Sequence, residues 1–252
     1  MQGHNHQYET KDRTISFTGY CMKGLSDLTS VGTVTGEALW PSSLLLADYL
    51  KDEWNPTPNT NVLELGCGLG LCGTVASIRL GEKNGGKVVV TDGSSRVMDR
   101  ACKISQANIK KEIDAPLSLA VLEWGNQVQM DHIRHPDGYD CIIGSDIFYY
   151  PSVDVSSKKN IALFVQTVDS LLKKTTTSSQ QQQTPQCIIT VERRNVSLDV
   201  LFEAFDKNGF VQSKIGPKNE DVSFFEDIYG ERNDEQTMFT NKFLLIFERK
   251  SK

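Results

Sequence analysis

Val62-Leu63-Glu64-Leu65-Gly66-Cys67-Gly68-Leu69-Gly70 is the stretch that decides the fold of this chain. An apolar run carrying one acidic residue passes here into a tight glycine loop. A second apolar run, Val88-Val89-Val90-Thr91, ends at Asp92, which stands 22 residues after Gly70. In βαβ units a glycine loop follows the first strand, and an acidic residue after the second binds ribose hydroxyls. The sequence therefore predicts a nucleotide-type cofactor pocket at the carboxyl edge of a parallel sheet.

The spacing of the glycines distinguishes between two kinds of cofactor. A dinucleotide fingerprint requires a glycine where this chain has Leu71, because pyrophosphate sits on the helix start. Here Glu64 is followed by glycines at 66, 68 and 70, which let the backbone approach a ligand closely. A carboxylate beside the loop suits the zwitterionic methionyl end and the cationic sulfur of S-adenosylmethionine, whereas it would repel a pyrophosphate. We therefore expect S-adenosylmethionine rather than NAD.

Composition and charge exclude several classes of protein. A chain of 252 residues can bury one sizeable core. Its net charge is −5 and no basic stretch is dense, so nucleic acid is not expected as a partner. Residues 1–20 lack an apolar signal region, and no apolar run approaches the ~20 residues of a membrane span. We expect no membrane association, a monomer, and a location in the cytoplasm, with the nucleus as a second compartment.

The cysteines and histidines do not form a metal-binding motif. Six cysteines are scattered along the chain, mostly inside apolar segments, at positions 21, 67, 72, 102, 141 and 187. Without a signal peptide, this pattern indicates reduced core thiols rather than disulfides or a zinc site. His132 and His135 have no cysteine or carboxylate cluster beside them, which favours a solvated loop before Pro136. No metal site is predicted.

Strands and helices alternate along most of the chain. We expect strands at 61–65, 87–91, 117–122, 139–144, 187–192, 210–215 and 243–249, and helices at 71–80, 95–109, 157–173 and 197–208. Such alternation predicts an α/β fold with a parallel sheet and helices on both faces. Polar candidates follow the strand ends, at 64–70, 92, 123–125, 146 and 192. One edge of the sheet should therefore gather them all.

The expected domain organisation is a single domain over residues 14–252, preceded by a disordered N-terminus at 1–13. Within it, 14–55 is an accessory segment and 56–252 a Rossmann-like core. The accessory segment should contain a β-hairpin formed by 14–17 and 30–35, followed by a helix over 41–54 that begins at Pro41.

Two segments interrupt the alternation. Residues 173–186 (KKTTTSSQQQQTPQ) have low complexity and lack apolar side chains, so we expect a mobile surface loop inserted between helix and strand. Residues 220–235 are strongly acidic with interleaved aromatic residues. This segment is either a solvated loop or a lip that docks a lysine-rich substrate.

Five motifs, in chain order, carry a family resemblance: GEALWPSS at 36–43, ELGCGLGLCG at 64–73, TDG at 91–93, LEWG at 122–125 and SDIFY at 145–149. Together they resemble the family 16 seven-β-strand methyltransferases, which are mostly protein-lysine methyltransferases. The resemblance covers about residues 30–250, and the Asp-x-x-Tyr at 146–149 is its most specific part. It implies a three-layer, Rossmann-like class I methyltransferase fold. The implied sheet has seven strands in the order 3-2-1-4-5-7-6, with strand 7 antiparallel.

The resemblance also implies roles for two tryptophans, which packing alone would assign to the core. In similar proteins the residue at Trp40 lines the cofactor pocket, and the aromatic ring at Trp124 lies against the adenine. The residues expected to bind S-adenosylmethionine, or its product S-adenosylhomocysteine, are Trp40, Glu64, Gly66, Cys67, Gly68, Gly70, Asp92, Gly93, Trp124 and Ser145.

Asp146 and Tyr149 are the expected catalytic residues. A lysine must lose a proton, from a reference pKa of about 10.4, before its lone pair can displace the methyl group from sulfur. An apolar aromatic channel favours the neutral amine. Asp146 would orient the amine by accepting a hydrogen bond, although a turn-capping role is the alternative. Tyr149 and Phe148 would form the channel wall, where cation–π attraction guides the lysine.

The expected function is transfer of a methyl group to a protein side-chain nitrogen, with lysine as the acceptor. The alternatives are a small-molecule N-methyltransferase, a protein-histidine methyltransferase and, outside enzymes, a non-catalytic S-adenosylmethionine-binding module. An NAD oxidoreductase is excluded by Leu71. Methylation of RNA is disfavoured because the Asn-Pro-Pro-Tyr type of loop is absent and no basic face is evident.

Overall fold

The computed structural model of the protein describes residues 4–21, 35–83, 85–148, 155–174, 183–192, 198–216 and 242–250. The strands are β1 His4–Glu9, β2 Thr14–Cys21, β3 Ala38–Leu39, β4 Thr60–Leu65, β5 Gly86–Asp92, β6 Leu117–Val121, β7 Cys141–Ser145, β8 Gln186–Glu192, β9 Phe210–Gly216 and β10 Lys242–Arg249. The helices are α1 Pro41–Asp52, α2 Leu71–Gly81, α3 Ser95–Asn108, α4 Gln127–Ile133, α5 Val155–Leu171 and α6 Leu198–Lys207, and a short 3-10 helix spans Thr35–Glu37. The short helix α4 was not predicted.

A mostly parallel sheet of seven strands forms the centre of the described structure, in the order β6-β5-β4-β7-β8-β10-β9. The pairings from β6 to β8 are parallel, whereas β10 is antiparallel to both β8 and β9. Numbered from β4, this is the order 3-2-1-4-5-7-6 that the resemblance implies, so the fold prediction is confirmed. The strand order reverses between β4 and β7, and ligands in open α/β sheets bind outside the carboxyl ends of the strands at such a point.

Alternating residues of the strands supply two separate hydrophobic cores. Val62 of β4 and Ile143 of β7 pack in a cluster with α1, α2 and α3. Leu63 and Ile142, their neighbours in sequence, pack in a second cluster with α5 and α6. Successive side chains of a strand point to opposite faces, so the sheet is covered by helices on both sides. The result is the expected three-layer arrangement.

The N-terminal segment forms a second, smaller sheet, in which β1 pairs antiparallel with β2 and β2 pairs parallel with β3. The prediction of disorder over 1–13 is therefore wrong for residues 4–9. Tyr8 of β1 is fully buried, and its hydroxyl donates a 2.8 Å hydrogen bond to Asp48 of α1. Residues 14–17 of the predicted hairpin belong to β2, which pairs antiparallel with β1, and their pairing with 30–35 stays a prediction. Residues 30–34 lie outside the described part.

Several other sequence predictions fall on residues that the structure does not describe. The proposed docking lip at 220–235 lies wholly outside the described ranges, and so do residues 175–182 of the low-complexity loop. The division into accessory segment and core remains a prediction. None of the helices in the described ranges is long and apolar enough to cross a membrane.

Candidate active site

A cavity of about 540 Å³ opens at the switch point, beyond the carboxyl ends of β4, β5 and β7. Residues from the segment before α1 form one wall, and residues of α5 border it on another side. The predicted site residues that line it are Trp40, Gly66, Cys67, Gly68, Asp92, Gly93, Trp124, Ser145 and Asp146. The structure thus brings together most of the residues that the sequence singled out. Glu64 and Gly70 do not line the cavity.

The glycine loop after β4 has a backbone conformation that suits glycine. Gly66 and Gly68 have φ values of 72° and 53°, in the left-handed region. A Cβ on Gly66 would lie 2.8 Å from Cγ2 of Ile147, and one on Gly68 would lie 3.3 Å from the carbonyl oxygen of Gly36. A side chain at either position would therefore crowd the protein itself, so both the backbone conformation and the packing of the loop favour glycine.

Glu64 lies behind this loop rather than in the cavity. Its side chain is buried, and Oε2 accepts a 2.9 Å hydrogen bond from the N–H of Gly73. That N–H is the third of α2, whose N-cap residue, Gly70, has no side chain to offer. Burial raises the pKa of Glu64 to about 8, the Gly73 N–H opposes this, and the charge of Asp92 adds to it. Glu64 thus stabilises the start of α2, directly after the loop, by accepting this hydrogen bond.

Asp92 connects the loops that follow β4 and β5. Its Oδ1 accepts a 3.0 Å hydrogen bond from the N–H of Ser94, and Oδ2 accepts one of 3.3 Å from the N–H of Gly68. Burial raises the pKa of Asp92, while these N–H groups lower it. A carboxylate has about four lone-pair sites, so capacity remains for hydroxyl donors from the cavity.

Two partly exposed tryptophans line the cavity from different elements. Trp124 follows β6, and its ring packs edge-on against Phe164 of α5 at 5.1 Å and lies 6.2 Å from Phe148. Trp40 is the N-cap of α1, and its carbonyl oxygen accepts hydrogen bonds from the N–H and the hydroxyl of Ser43 at 2.9 and 2.6 Å. The indole of Trp124 is therefore held by aromatic neighbours, whereas for Trp40 the backbone is fixed at the start of α1.

Asp146 follows β7 directly and lies at the cavity. Its φ is 51°, in the left-handed region that Asp tolerates better than most residues, and its N–H donates a 2.9 Å hydrogen bond to the carbonyl of Thr190. It is buried but for 6% of its surface. Tyr149, the other predicted catalytic residue, lies outside the described residues, so its role stays a prediction.

Sequence reasoning missed the lining residues contributed by helices. Ser94 is the N-cap of α3, where its side chain accepts a hydrogen bond from the N–H of Val97, and a serine two residues after Asp92 signals such a cap. Asn160 and Leu163 reach the cavity from α5. No sequence signal identifies them, since their position depends on how that helix is rotated about its axis.

Among the described residues that line the cavity, all the charges are of one sign. Asp92, Glu123 and Asp146 line it, and no lysine, arginine or histidine is found among the described lining residues. A cavity lined by one sign of charge attracts ligands of the opposite sign. Within the ranges that the structure describes, no three His, Cys, Asp or Glu side chains are grouped closely enough to hold a metal ion.

A seven-stranded sheet in this order, with a glycine loop at its switch point, defines a class I methyltransferase fold. Solved structures agree on the fold. A putative methyltransferase, SMU.776, complexed with S-adenosylhomocysteine superimposes with a TM-score of 0.59 and 12% identity, covering 97% of this chain and 56% of its own. Magnesium protoporphyrin IX methyltransferase from Synechocystis PCC 6803 with bound S-adenosylmethionine superimposes with a TM-score of 0.51 and 16% identity, covering 82% and 77%.

A comparison of the sequence with protein families is more specific than the fold. Residues 23–208 match the model of the lysine methyltransferase family, and the chain therefore belongs to that family.

Characterised relatives share about a quarter to a third of the residues in their matched parts. Protein N-lysine methyltransferase METTL21A of Xenopus tropicalis is 26% identical, over 57% of this chain and 60% of its own. EEF1A lysine methyltransferase 3 of Mus musculus is 28% identical, over 52% of each. Histone-arginine methyltransferase METTL23 of Mus musculus is 31% identical, over 46% and 42%. The chain thus matches about half the length of these relatives.

Proposed function

We propose that this protein is an S-adenosylmethionine-dependent methyltransferase that modifies a protein side-chain nitrogen, with lysine as the acceptor. The observation that carries the proposal is the cavity, which lies at the switch point of this family's fold and whose charged lining residues, within the described ranges, are all acidic. Both reactants are cationic on arrival, since the cofactor bears a sulfonium and a lysine enters as an ammonium. The names of METTL21A and EEF1A lysine methyltransferase 3 support lysine as the acceptor.

The residues of the cavity fit the cofactor. Gly66 and Gly68 line the cavity without side chains, so a methionyl group could approach their backbone closely. Asp92 keeps capacity to accept a hydrogen bond from the ribose, and the face of Trp124 suits a purine. When bound, S-adenosylmethionine supplies a methyl group already activated by its sulfonium.

Asp146 would act on the acceptor rather than on the cofactor. Its carboxylate can accept a hydrogen bond from the amine and so align the lone pair with the methyl carbon, and alignment supplies much of the rate of such a reaction. A charged Asp146 also stabilises the ammonium form, so its role is positioning more than deprotonation. Ile147, next to Asp146, also lines the cavity, and its apolar side chain would favour the neutral amine there.

We further infer a monomeric protein of the cytoplasm, with the nucleus as a second compartment, whose partner is a protein substrate. The net charge of −5 supports a substrate that is basic around its target and argues against nucleic acid.

The test is labelling of a cell lysate with cofactor that carries a radioactive methyl group, with wild type and Asp146→Asn compared. Asparagine tolerates the left-handed backbone at this position, so the variant removes the charge with little added strain. We expect a labelled protein band with wild type, at least ~100-fold less label with the variant, and unchanged S-adenosylhomocysteine binding by calorimetry.

Mass spectrometry of the labelled band identifies the acceptor. Label on lysine supports the proposal, whereas label on histidine or arginine, or on a small molecule alone, selects another acceptor. Equal labelling by the variant would remove Asp146 from the mechanism. A wild-type protein that binds no S-adenosylhomocysteine would reject the function as a whole.

A further inference from the structure

Two segments of the cavity wall that are distant in sequence meet at one buried residue, Thr190 of β8. Its carbonyl oxygen accepts the 2.9 Å hydrogen bond from the N–H of Asp146. Its hydroxyl donates a 2.7 Å hydrogen bond to the carbonyl oxygen of Ser42, in the first turn of α1. Thr190 has no exposed surface, so both bonds are shielded from water.

A second residue spans the same two segments. The thiol of Cys72 lies 3.3 Å from the carbonyl oxygen of Ser43 and 3.9 Å from the hydroxyl of Ser145. Burial raises the pKa of this thiol well above its ordinary value, so it remains protonated and can donate. The start of α1 and the end of β7 are therefore connected at two points, one from β8 and one from α2.

The two connected segments carry different parts of the proposed site. The start of α1 bears Trp40 and Ser43, which line the cofactor cavity, whereas the end of β7 bears Asp146. With the cofactor against the first segment and the acceptor against Asp146, their separation would set the distance between the methyl group and the acceptor nitrogen. A displacement of 1 Å in such an arrangement can lower a rate by ~100-fold.

We propose that Thr190, supported by Cys72, is a positioning residue for methyl transfer, whose hydroxyl fixes the cofactor wall relative to Asp146. The inference rests on the proposed function and adds to it a residue that contacts neither reactant. Its carbonyl bond to Asp146 is available from any residue, so the hydroxyl is the group that makes threonine specific at this position.

Three variants separate the hydroxyl from the shape of the side chain. Thr190→Val keeps the shape and removes the hydroxyl, whereas Thr190→Ser keeps the hydroxyl and removes the methyl group. Thr60→Val is the matched control, because Thr60 is also a buried strand residue whose hydroxyl donates to a carbonyl, that of Thr57 at 2.6 Å. Thr60 lies at the amino end of β4, at the opposite edge of the sheet from the cavity.

Three measurements are made on each protein: the unfolding temperature, the dissociation constant for S-adenosylhomocysteine, and the rate of methyl transfer to the lysate protein at saturating labelled cofactor. We expect Thr190→Val to transfer at least about tenfold more slowly at saturation and Thr190→Ser to stay within about twofold of wild type. Thr60→Val should lose stability but keep its transfer rate.

The outcomes separate this inference from the function on which it rests. A wild-type protein that transfers methyl groups, with Thr190→Val no slower than Thr60→Val, would overturn the inference alone. Equal decreases of the transfer rate in Thr190→Val and Thr190→Ser would also overturn it, because the hydroxyl of Thr190 would then not be the group that matters. Absence of S-adenosylhomocysteine binding in wild type would reject both. If Thr190→Val does not fold, the comparison of Thr190→Ala with Thr190→Ser isolates the hydroxyl in the same way.

Discussion

Glu64 combines a carboxyl group, almost complete burial and a backbone hydrogen-bond partner, the N–H of Gly73. An added Cβ on Gly73 would lie 2.5 Å from Oε2 of Glu64 and 2.5 Å from Cγ2 of Val90, so the glycine makes room for this contact. The carboxyl group accepts a hydrogen bond from the first turn of α2, and its burial there raises its pKa. Its ionisation is therefore linked to the stability of the fold.

This linkage should appear in the way the free energy of unfolding depends on pH. In the unfolded chain Glu64 ionises near its ordinary pKa of 4.5, whereas in the folded protein it stays protonated until about pH 8. Between these values the folded state binds more protons, so the free energy of unfolding falls as pH rises, by up to about 1.4 kcal/mol per pH unit. We predict that Glu64→Gln, measured by urea unfolding between pH 5 and 8, has a shallower pH dependence than wild type. If the free energies of unfolding of wild type and Glu64→Gln changed equally with pH, Glu64 would not be the group responsible.

The sequence predicted the site residues that follow strands, because the carboxyl ends of parallel strands must meet at one edge. It placed Glu64 in the pocket, but Glu64 shares a strand face with Val62, which packs against the cluster containing α2. The side chain therefore points under the loop. Asn160 was not predicted. Which residues of α5 face the cavity depends on how that helix packs on the sheet, and the hydrophobic pattern of the sequence does not determine this orientation.

At the scale of elements, the segment that leads into α1 is fastened to α3 by an ion-pair cluster. Glu37, whose side chain is 3% exposed, lies 2.5 Å from Nε of Arg96 and 3.6 Å from a terminal nitrogen of Arg100. The same segment packs on the glycine loop, because the Gly36 carbonyl oxygen approaches Gly68 closely. This cluster helps to hold the cavity wall against the rest of the domain.

The two sides of this cluster should differ in their effect on stability. Removal of the carboxylate by Glu37→Gln leaves Arg96 and Arg100 free to be hydrated, because their side chains are 70% and 36% exposed. Removal of both arginines leaves a buried carboxylate without these partners. We predict a loss of about 1 kcal/mol for Glu37→Gln and about 3 kcal/mol for the double variant Arg96→Ala, Arg100→Ala, measured by denaturant unfolding. Losses in the opposite order would show that Glu37 is not dependent on the arginines.

The alternation of strands and helices in the core was predictable because buried parallel strands are continuous apolar runs with clear ends. The order of the strands came from the family resemblance, since periodicity does not determine which strands are neighbours. β1 was not predicted because His4–Glu9 contains one strongly apolar side chain, Tyr8, in an otherwise polar stretch. Its burial depends on Asp48 and α1, which are distant in the sequence.

At the scale of the whole molecule, the cavity lies where independent parts of the fold converge. The loops after β4, β5 and β7 form its base, the N-terminal segment forms one wall, and α5 borders it. A ligand that contacts all of them would add to the connections already made by Asp92, Thr190, Cys72 and the ion pairs of Glu37. Binding should therefore stabilise the whole domain rather than one loop.

Such stabilisation has a calculable size. Ligand at 100 times its dissociation constant adds about 2.7 kcal/mol, which corresponds to a rise in unfolding temperature of about 5–10 °C for a chain of this length. We predict a rise of this size with S-adenosylhomocysteine. In Asp92→Ala the rise should fall to about half or less at the same ligand concentration, because loss of charged hydrogen bonds weakens binding by at least about tenfold.

The control is Asp99→Ala, which removes an exposed acid of the same charge from α3, outside the cavity lining. Each rise must be measured against the same variant without ligand, because Asp92 also accepts hydrogen bonds from Gly68 and Ser94 and its loss destabilises the empty protein. Equal rises in the two variants would remove Asp92 from the binding site. A rise with NAD and none with S-adenosylhomocysteine would contradict the reading of Leu71 and with it the choice of cofactor, because the two ligands require different glycines at the start of the same helix.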